Sequence, residues 1–216
     1  MRTRILLILG VAATAILTGG VRAQAHSPST FYYAPNRWAY GSDVNFALQV
    51  GYPTGAHRSA ISYAAAQWTS LGGPAHPDLY WSLPDSFGSF ESPCGNSRNI
   101  VVWLDLDYIQ RDALGATKRC IITGHSNVVR FSLAVDSDTP WYTGTGTVPS
   151  GLYDVRSVLS HEFGHVTGWQ GHFANSIGDG CEYNTGRHTM CPDFPAGSNW
   201  MQSLATHDIH TFQAAY

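Results

Sequence analysis

The 216-residue chain is predicted to fold as one α+β domain, a mixed, twisted sheet packed against helices. Three observations carry this expectation. Val44, Phe46, Leu48 and Val50 alternate with other residues, the period of a strand with one buried face. Two later stretches change to helical spacing, one through Ile61, Ala64, Ala65 and Trp68, the other through Val155, Val158, Leu159, Phe163 and Val166. Further strand candidates fall between them at 78–83, 99–105, 119–123 and 127–135. No repeat, charge block or low-complexity linker interrupts residues 31–216, which read as one unit.

Residues 1–25 form the first element. Arg2 and Arg4 precede an apolar run from Ile5 to Leu17, and Ala23-Gln24-Ala25 offers a small-residue cleavage site, the pattern of a secretory signal peptide. A membrane anchor is disfavoured, because the run is about 13 residues where roughly 20 are needed to cross a bilayer. The mature protein is therefore expected to be secreted and extracellular. In that oxidising setting Cys94, Cys120, Cys181 and Cys191 make an even set, which favours two disulfides over free thiols. Three connectivities exist, and loop closure prefers Cys181 with Cys191, leaving Cys94 with Cys120.

The helix beginning near His57 ends at Gly72-Gly73-Pro74, which cannot continue it. Residues 139–151 read as a loop rich in glycine and proline, and Gly144-Thr145-Gly146 lacks the third glycine and the strand-to-helix setting of a phosphate loop. Composition excludes other classes. The 12 Lys+Arg include Arg2, Arg4 and Arg22 of the leader, so the remainder sets 9 basic against 15 acidic residues, a net of −6. Nucleic-acid binding through phosphates is thereby disfavoured, and with Lys118 the one lysine there is no polybasic patch for an anionic membrane.

The second helix carries the chemistry. Asp154 is its expected N-cap and Gly168 its stop. Inside lies His161-Glu162-Phe163-Gly164-His165. Four residues on a helix amount to a rotation of about 40° and a rise of about 6 Å, so both imidazoles project from one face towards a common point. Glu162 projects about 100° from His161, beside a bound metal, where it can take a proton from metal-bound water. A tetrahedral catalytic zinc needs a third protein ligand and one open position. His172 is the candidate, reached because Gly168 accepts the left-handed conformation with which the chain turns back. The pattern H-E-x-x-H-x-x-G-x-x-H arises by chance in on the order of 1 in 10⁴ such sequences.

These residues resemble the zinc motif of the metzincin metalloproteases, and the segment after it resembles the matrixins in particular. Met190, in Thr189-Met190-Cys191-Pro192-Asp193-Phe194, matches the methionine of the Met-turn, with Phe194 where matrixins usually carry tyrosine. The resemblance implies that Pro192 and Phe194 line the pocket for the side chain just after the scissile bond. Leu204, His207-Asp208-Ile209 and Tyr216 resemble the last matrixin helix. The implied architecture is a zincin (metzincin) fold with an active-site helix, a Met-turn and a C-terminal helix. It divides the chain into the leader, 1–25, and a catalytic domain, 26–216, whose upper subdomain covers about 31–171 and lower subdomain about 172–216.

The implied activity is a zinc metalloendopeptidase with Zn²⁺ on His161, His165 and His172 and Glu162 as general base, hydrolysing peptide bonds through a zinc-bound water. Its partners are protein or peptide substrates, without nucleic acid or membrane, and it is expected to act as a monomer. Two departures stand out. Fewer than 20 residues and no cysteine separate Ala25 from the first strand, so the latency propeptide and cysteine switch of animal matrixins have no counterpart in the chain. The first half also lacks a clear series of ligands for their structural zinc and calcium sites. Asp105, Asp107, Asp136, Asp138 and Asp179 are the candidates for calcium, although short acidic pairs are usually solvated turns. His57, His76, His125, His188, His207 and His210 have no ligand spacing and read as surface or packing residues.

Overall fold

Side chains that alternate across a sheet can be buried on both faces only if both faces are covered, and the burial of the central strands shows that they are. The structure, a computed structural model, describes residues 37–53, 55–71, 76–109, 111–122, 127–170 and 188–216, together with the backbone of 4–5. Its centre is a five-stranded sheet built from β2 (Asp43–Leu48), β3 (Asp78–Trp81), β4 (Asn99–Leu104), β5 (Gly115–Ile121) and β6 (Val128–Asp136). The strand order is β3-β2-β4-β6-β5. Four strands run parallel and β5, at one edge, runs antiparallel to β6. The fold is thus mixed α+β.

One face of the sheet packs on α1 (Ala56–Thr69) and α2 (Val155–Thr167). Val44, Phe46 and Leu48 point into this layer with Phe131, Leu133 and Val135, against Ile61, Ala64, Ala65 and Trp68 of α1 and Leu159, Phe163 and Val166 of α2. The apolar stripes anticipated for both helices are those that are buried. Trp68 donates its indole N–H to the Ser160 carbonyl at 2.8 Å, and Trp38 donates to the Val166 carbonyl at 2.7 Å, which ties α2 into the layer by more than dispersion. The opposite face is closed by Phe90, Leu106 and Ala113 over Ile100, Val102, Ala116 and Ala134.

Several boundaries differ from the sequence pattern. Val50 lies beyond β2 and is 48% exposed, because the ladder it was expected to extend has given way to a turn at Gly51. The strand expected over 119–123 begins four residues earlier, at Gly115. Within the expected loop, β7 (Trp141–Tyr142) pairs in parallel with β8 (Tyr153–Asp154), which brings the loop back against the start of α2. Arg4–Ile5, labelled β1, pairs antiparallel with β9 (Asp193–Phe194). The chain closes with α3 (Thr206–Ala215), whose Phe212 packs on Trp68 with ring centroids 5.6 Å apart.

Cys94 and Cys120 form a disulfide across 26 residues, pinning the short helical turn Pro93–Gly95 to β5. Closing a loop of that length restricts the unfolded chain by roughly 3 to 4 kcal/mol on the chain-entropy account. Cys191 is disulfide-bonded as well, and among the described residues no cysteine is free. Cys181 lies outside the described residues. Among the described residues no helix is long and apolar enough to cross a membrane.

Candidate metal centre

Helix α2 starts where Asp154 accepts the Ser157 amide at 2.8 Å and the Ser157 hydroxyl at 2.7 Å, the N-cap expected of it. It ends at Gly168, which adopts φ 121°, a conformation that a side chain would strain. From Ser157 to Trp169 every residue is buried. This helix is therefore held from all sides, and its polar side chains must find partners inside the protein.

His161 and His165 do so through their Nδ1 atoms. Nδ1 of His161 lies 2.7 Å from the Thr189 carbonyl and Nδ1 of His165 lies 3.0 Å from the Trp169 carbonyl. A carbonyl can only accept, so both Nδ1 atoms carry a proton, and in the neutral imidazole each Nε2 is then the atom with a lone pair to offer a metal. Those two Nε2 atoms face each other at 3.0 Å, with the rings nearly perpendicular at 81°. At that distance the two nitrogens can share one proton between them or, as neutral donors, both face one cation. Zinc bound tetrahedrally at about 2.0–2.1 Å from each nitrogen sets the pair roughly 3.3 Å apart, so the donor set fits such an ion. The carbonyl partners are the outer support that fixes tautomer and ring direction in metal-bound histidines. His172, the expected third ligand, lies outside the described residues, and among those described no group of three His, Cys, Asp or Glu side chains is assembled.

Glu162 is fully buried. Its Oε2 accepts the Thr117 hydroxyl at 2.8 Å, while Oε1 has no hydrogen-bond partner among the described residues. Burial pushes this carboxyl up to about 8, the Thr117 hydrogen bond acting in the opposite direction. A cation held by the neighbouring imidazoles would also favour the charged form. The carboxylate lies under the edge strand at Gly115, where an added Cβ would come within 2.8 Å of Glu162 Cγ and 3.0 Å of Oε1.

Gly164, between the two histidines on the chain, faces the other way. A Cβ there would collide with the Met190 sulfur and come within 2.8 Å of Trp68 Cζ2. Gly164→Ala is expected to lower stability although alanine is the better helix former. The helix gains about 1 kcal/mol, whereas forcing a methyl into a packed core costs about 1–3 kcal/mol or more. Equal or higher melting temperature in the variant would show that Met190 yields freely.

Met190 is itself fully buried beneath α2, in the layer that holds Trp68 and Phe163. The residue before it does more. Thr189 offers its carbonyl to His161, donates its hydroxyl to the Ser203 carbonyl at 3.2 Å, and donates its amide to Asp208 Oδ2 at 2.7 Å. Asp208 also accepts the Ala205 amide at 3.1 Å, so one buried carboxylate joins the start of α3 to the turn that aims His161. Pro192 is buried, and Phe194 is fully buried among Leu114, Val158 and Met201, with the Trp200 ring 6.0 Å away.

Burial pushes the carboxyl of Asp208 up to about 6, against the opposing pull of the amides of Thr189, Ala205 and Met190. A raised value means that the fold favours the protonated form. The associated stability is fully present below the unfolded value, about 4, and is lost as pH rises through about 6. At about 1.4 kcal/mol per pKa unit this amounts to roughly 3 kcal/mol. Metal-free parent protein is therefore expected to lose that much stability relative to Asp208→Asn between about pH 4 and 7. Chemical unfolding at several pH values checks it, and parallel curves for the two proteins would contradict the assignment.

The acidic residues considered for calcium serve the loops. Asp136 accepts the Leu106 amide at 3.0 Å and the Thr139 hydroxyl at 2.6 Å, Asp105 accepts the Asp107 amide at 2.8 Å, and Asp107 accepts the Asp112 amide at 3.0 Å. Asp138 accepts the Ser137 hydroxyl at 2.9 Å, and Asp179 lies outside the described residues. His57 packs edge-on against Trp103, His76 against Phe212, and His188 against His207. Thr117, Gly115, Thr189 and Trp169 were not candidates on sequence, and two of them act through backbone carbonyls, which no residue type announces.

No protein-family model matches the chain, and no curated protein is significantly similar to it.

Proposed function

We propose that this chain is a secreted zinc-dependent endopeptidase of the metzincin class, similar to the matrixins, with a zincin fold in which Met190 forms the Met-turn and α3 the C-terminal helix. The observation that supports this most strongly is the convergence of His161 and His165, their Nε2 atoms 3.0 Å apart, on the helix that also carries the buried Glu162. His161, His165 and His172 would hold the zinc. When bound, zinc supplies a Lewis acid that polarises the scissile carbonyl and makes water a stronger acid. Glu162 accepts the proton of the attacking water and delivers it to the leaving amine, so the reaction needs no covalent intermediate. The carbonyls of Thr189 and Trp169 hold the two Nδ1 atoms and so turn the Nε2 atoms towards a common point.

Peptide specificity follows from Pro192 and Phe194 as the apolar wall of the pocket just after the cut. Leu, Ile, Phe or Tyr is expected there, each buried methylene contributing about 1–3 kcal/mol of discrimination. Charged side chains are disfavoured, because an apolar wall leaves them unpaired. Cleavage of a peptide library by the purified mature protein, with and without a chelator, tests both levels. Absence of chelator-sensitive cleavage would refute the activity, and enrichment of Lys, Arg, Asp or Glu after the cut would refute the pocket alone.

A further inference from the structure

Strand β5 is the edge of the sheet and lies over Glu162. Its alternation divides Gly115, Thr117 and Arg119 from Ala116, Lys118 and Cys120, and the first set faces α2. Gly115 and Thr117 meet the same side chain. At Gly115 the absence of a Cβ leaves the space in which Glu162 Cγ and Oε1 lie. At Thr117 the hydroxyl sits 2.8 Å from Glu162 Oε2 and 3.2 Å from the Glu162 carbonyl. One hydroxyl proton serves one acceptor at a time, and the carboxylate is both nearer and, when charged, the stronger acceptor. Thr117 is 2% exposed and Glu162 fully buried, so water does not compete for the bond.

We infer that Thr117 is the positioning residue of Glu162, holding Oε2 so that Oε1 is the oxygen turned to the reacting proton. The role rests on the peptidase reading above. Two geometric facts support it: a donor on one carboxylate oxygen, and, in the space that Gly115 leaves, a second oxygen with no hydrogen-bond partner among the described residues. A carboxylate has a broad terminal torsion and does not hold one orientation by itself. With Oε2 fixed, the choice of basic oxygen is made by the fold and not at each turnover. Thr117 touches neither substrate nor metal in this scheme and acts through Glu162 alone.

Thr117→Val tests this, since it keeps the shape and removes the donor, and Thr117→Ser restores the donor on a smaller side chain. A misdirected catalytic group costs up to about 10²-fold, so kcat of Thr117→Val on a fluorogenic peptide is expected to fall about 10- to 100-fold. KM and zinc content should stay at parent values, and Thr117→Ser should recover most of the loss. A second measurement uses metal-free protein and no substrate: Thr117→Val should lower the melting temperature of the parent more than it lowers that of a Glu162→Leu background. Parent-like kcat in Thr117→Val, equal impairment of the Ser and Val variants, or additive melting shifts would each overturn the positioning role. A parent without chelator-sensitive cleavage overturns the peptidase reading and this role with it; an active parent beside an unimpaired Thr117→Val overturns this role only.

Discussion

Glu162→Ala is expected to abolish nearly all chelator-sensitive peptidase activity, a loss of about 10²- to 10⁴-fold or more, while zinc content stays at the parent level. The two effects separate because the side chains do different work on one helix. The imidazoles converge on a shared point through Nε2, whereas the Glu162 carboxylate is turned to β5 and is not part of that convergence. Stability should not fall with activity. Burial disfavours the charged carboxyl of Glu162, holding its value at about 8, so truncation removes a group whose ionised form the fold does not favour. The offsetting cost is the cavity and the lost Thr117 bond, about 1 kcal/mol for a typical hydrogen bond. Melting temperature, zinc content and turnover are measured on one preparation. Cleavage at the parent rate would remove Glu162 from the mechanism; loss of zinc together with activity would mean that it is a ligand.

What could be read from the residues alone was the part of the site that is local in the chain. Spacing of four along a helix places His161 and His165 on one face wherever that helix ends up, and Asp154 and Gly168 mark its ends through backbone requirements that do not depend on tertiary context. The strand ladder was less legible. Gly115 and Ala116 open β5 with little strand preference, and they join the sheet because β6 pairs with them from Val135 and Ala134. The contacts that tune the site were not legible at all. Thr117 lies 45 residues before Glu162, and Thr189 lies 28 after His161. Both contacts depend on how the edge strand and the turn before α3 close over α2. Phe194 shows the same limit from the other side, since its motif position implies a pocket wall while its side chain is fully buried among Leu114, Val158 and Met201.

Loss of a histidine should act in the opposite sense to loss of Glu162: His161→Ala and His165→Ala are expected to lose zinc and, with it, thermal stability. A ligand that binds only the folded state stabilises it by about 4 kcal/mol when present at 1,000 times its Kd. In a domain of this size each kcal/mol is worth roughly 2–4 °C, so saturating zinc should raise the parent's melting temperature by roughly 8–16 °C. Neither variant should show more than a small part of that rise. In metal-free protein the variants are also expected to lose stability, because truncation removes the hydrogen bond to the carbonyl of Thr189 or Trp169 and the contact between the two Nε2 atoms. The diagnostic quantity is therefore the zinc-dependent increment and not the melting temperature itself. His172→Ala extends the comparison to the third proposed ligand, and it should lose the increment as completely as the other two. Elemental analysis of the same samples fixes the stoichiometry at one zinc per parent chain. Full occupancy in all three variants would refute the ligand set, and a full increment in His172→Ala alone would mean that some other group completes the coordination.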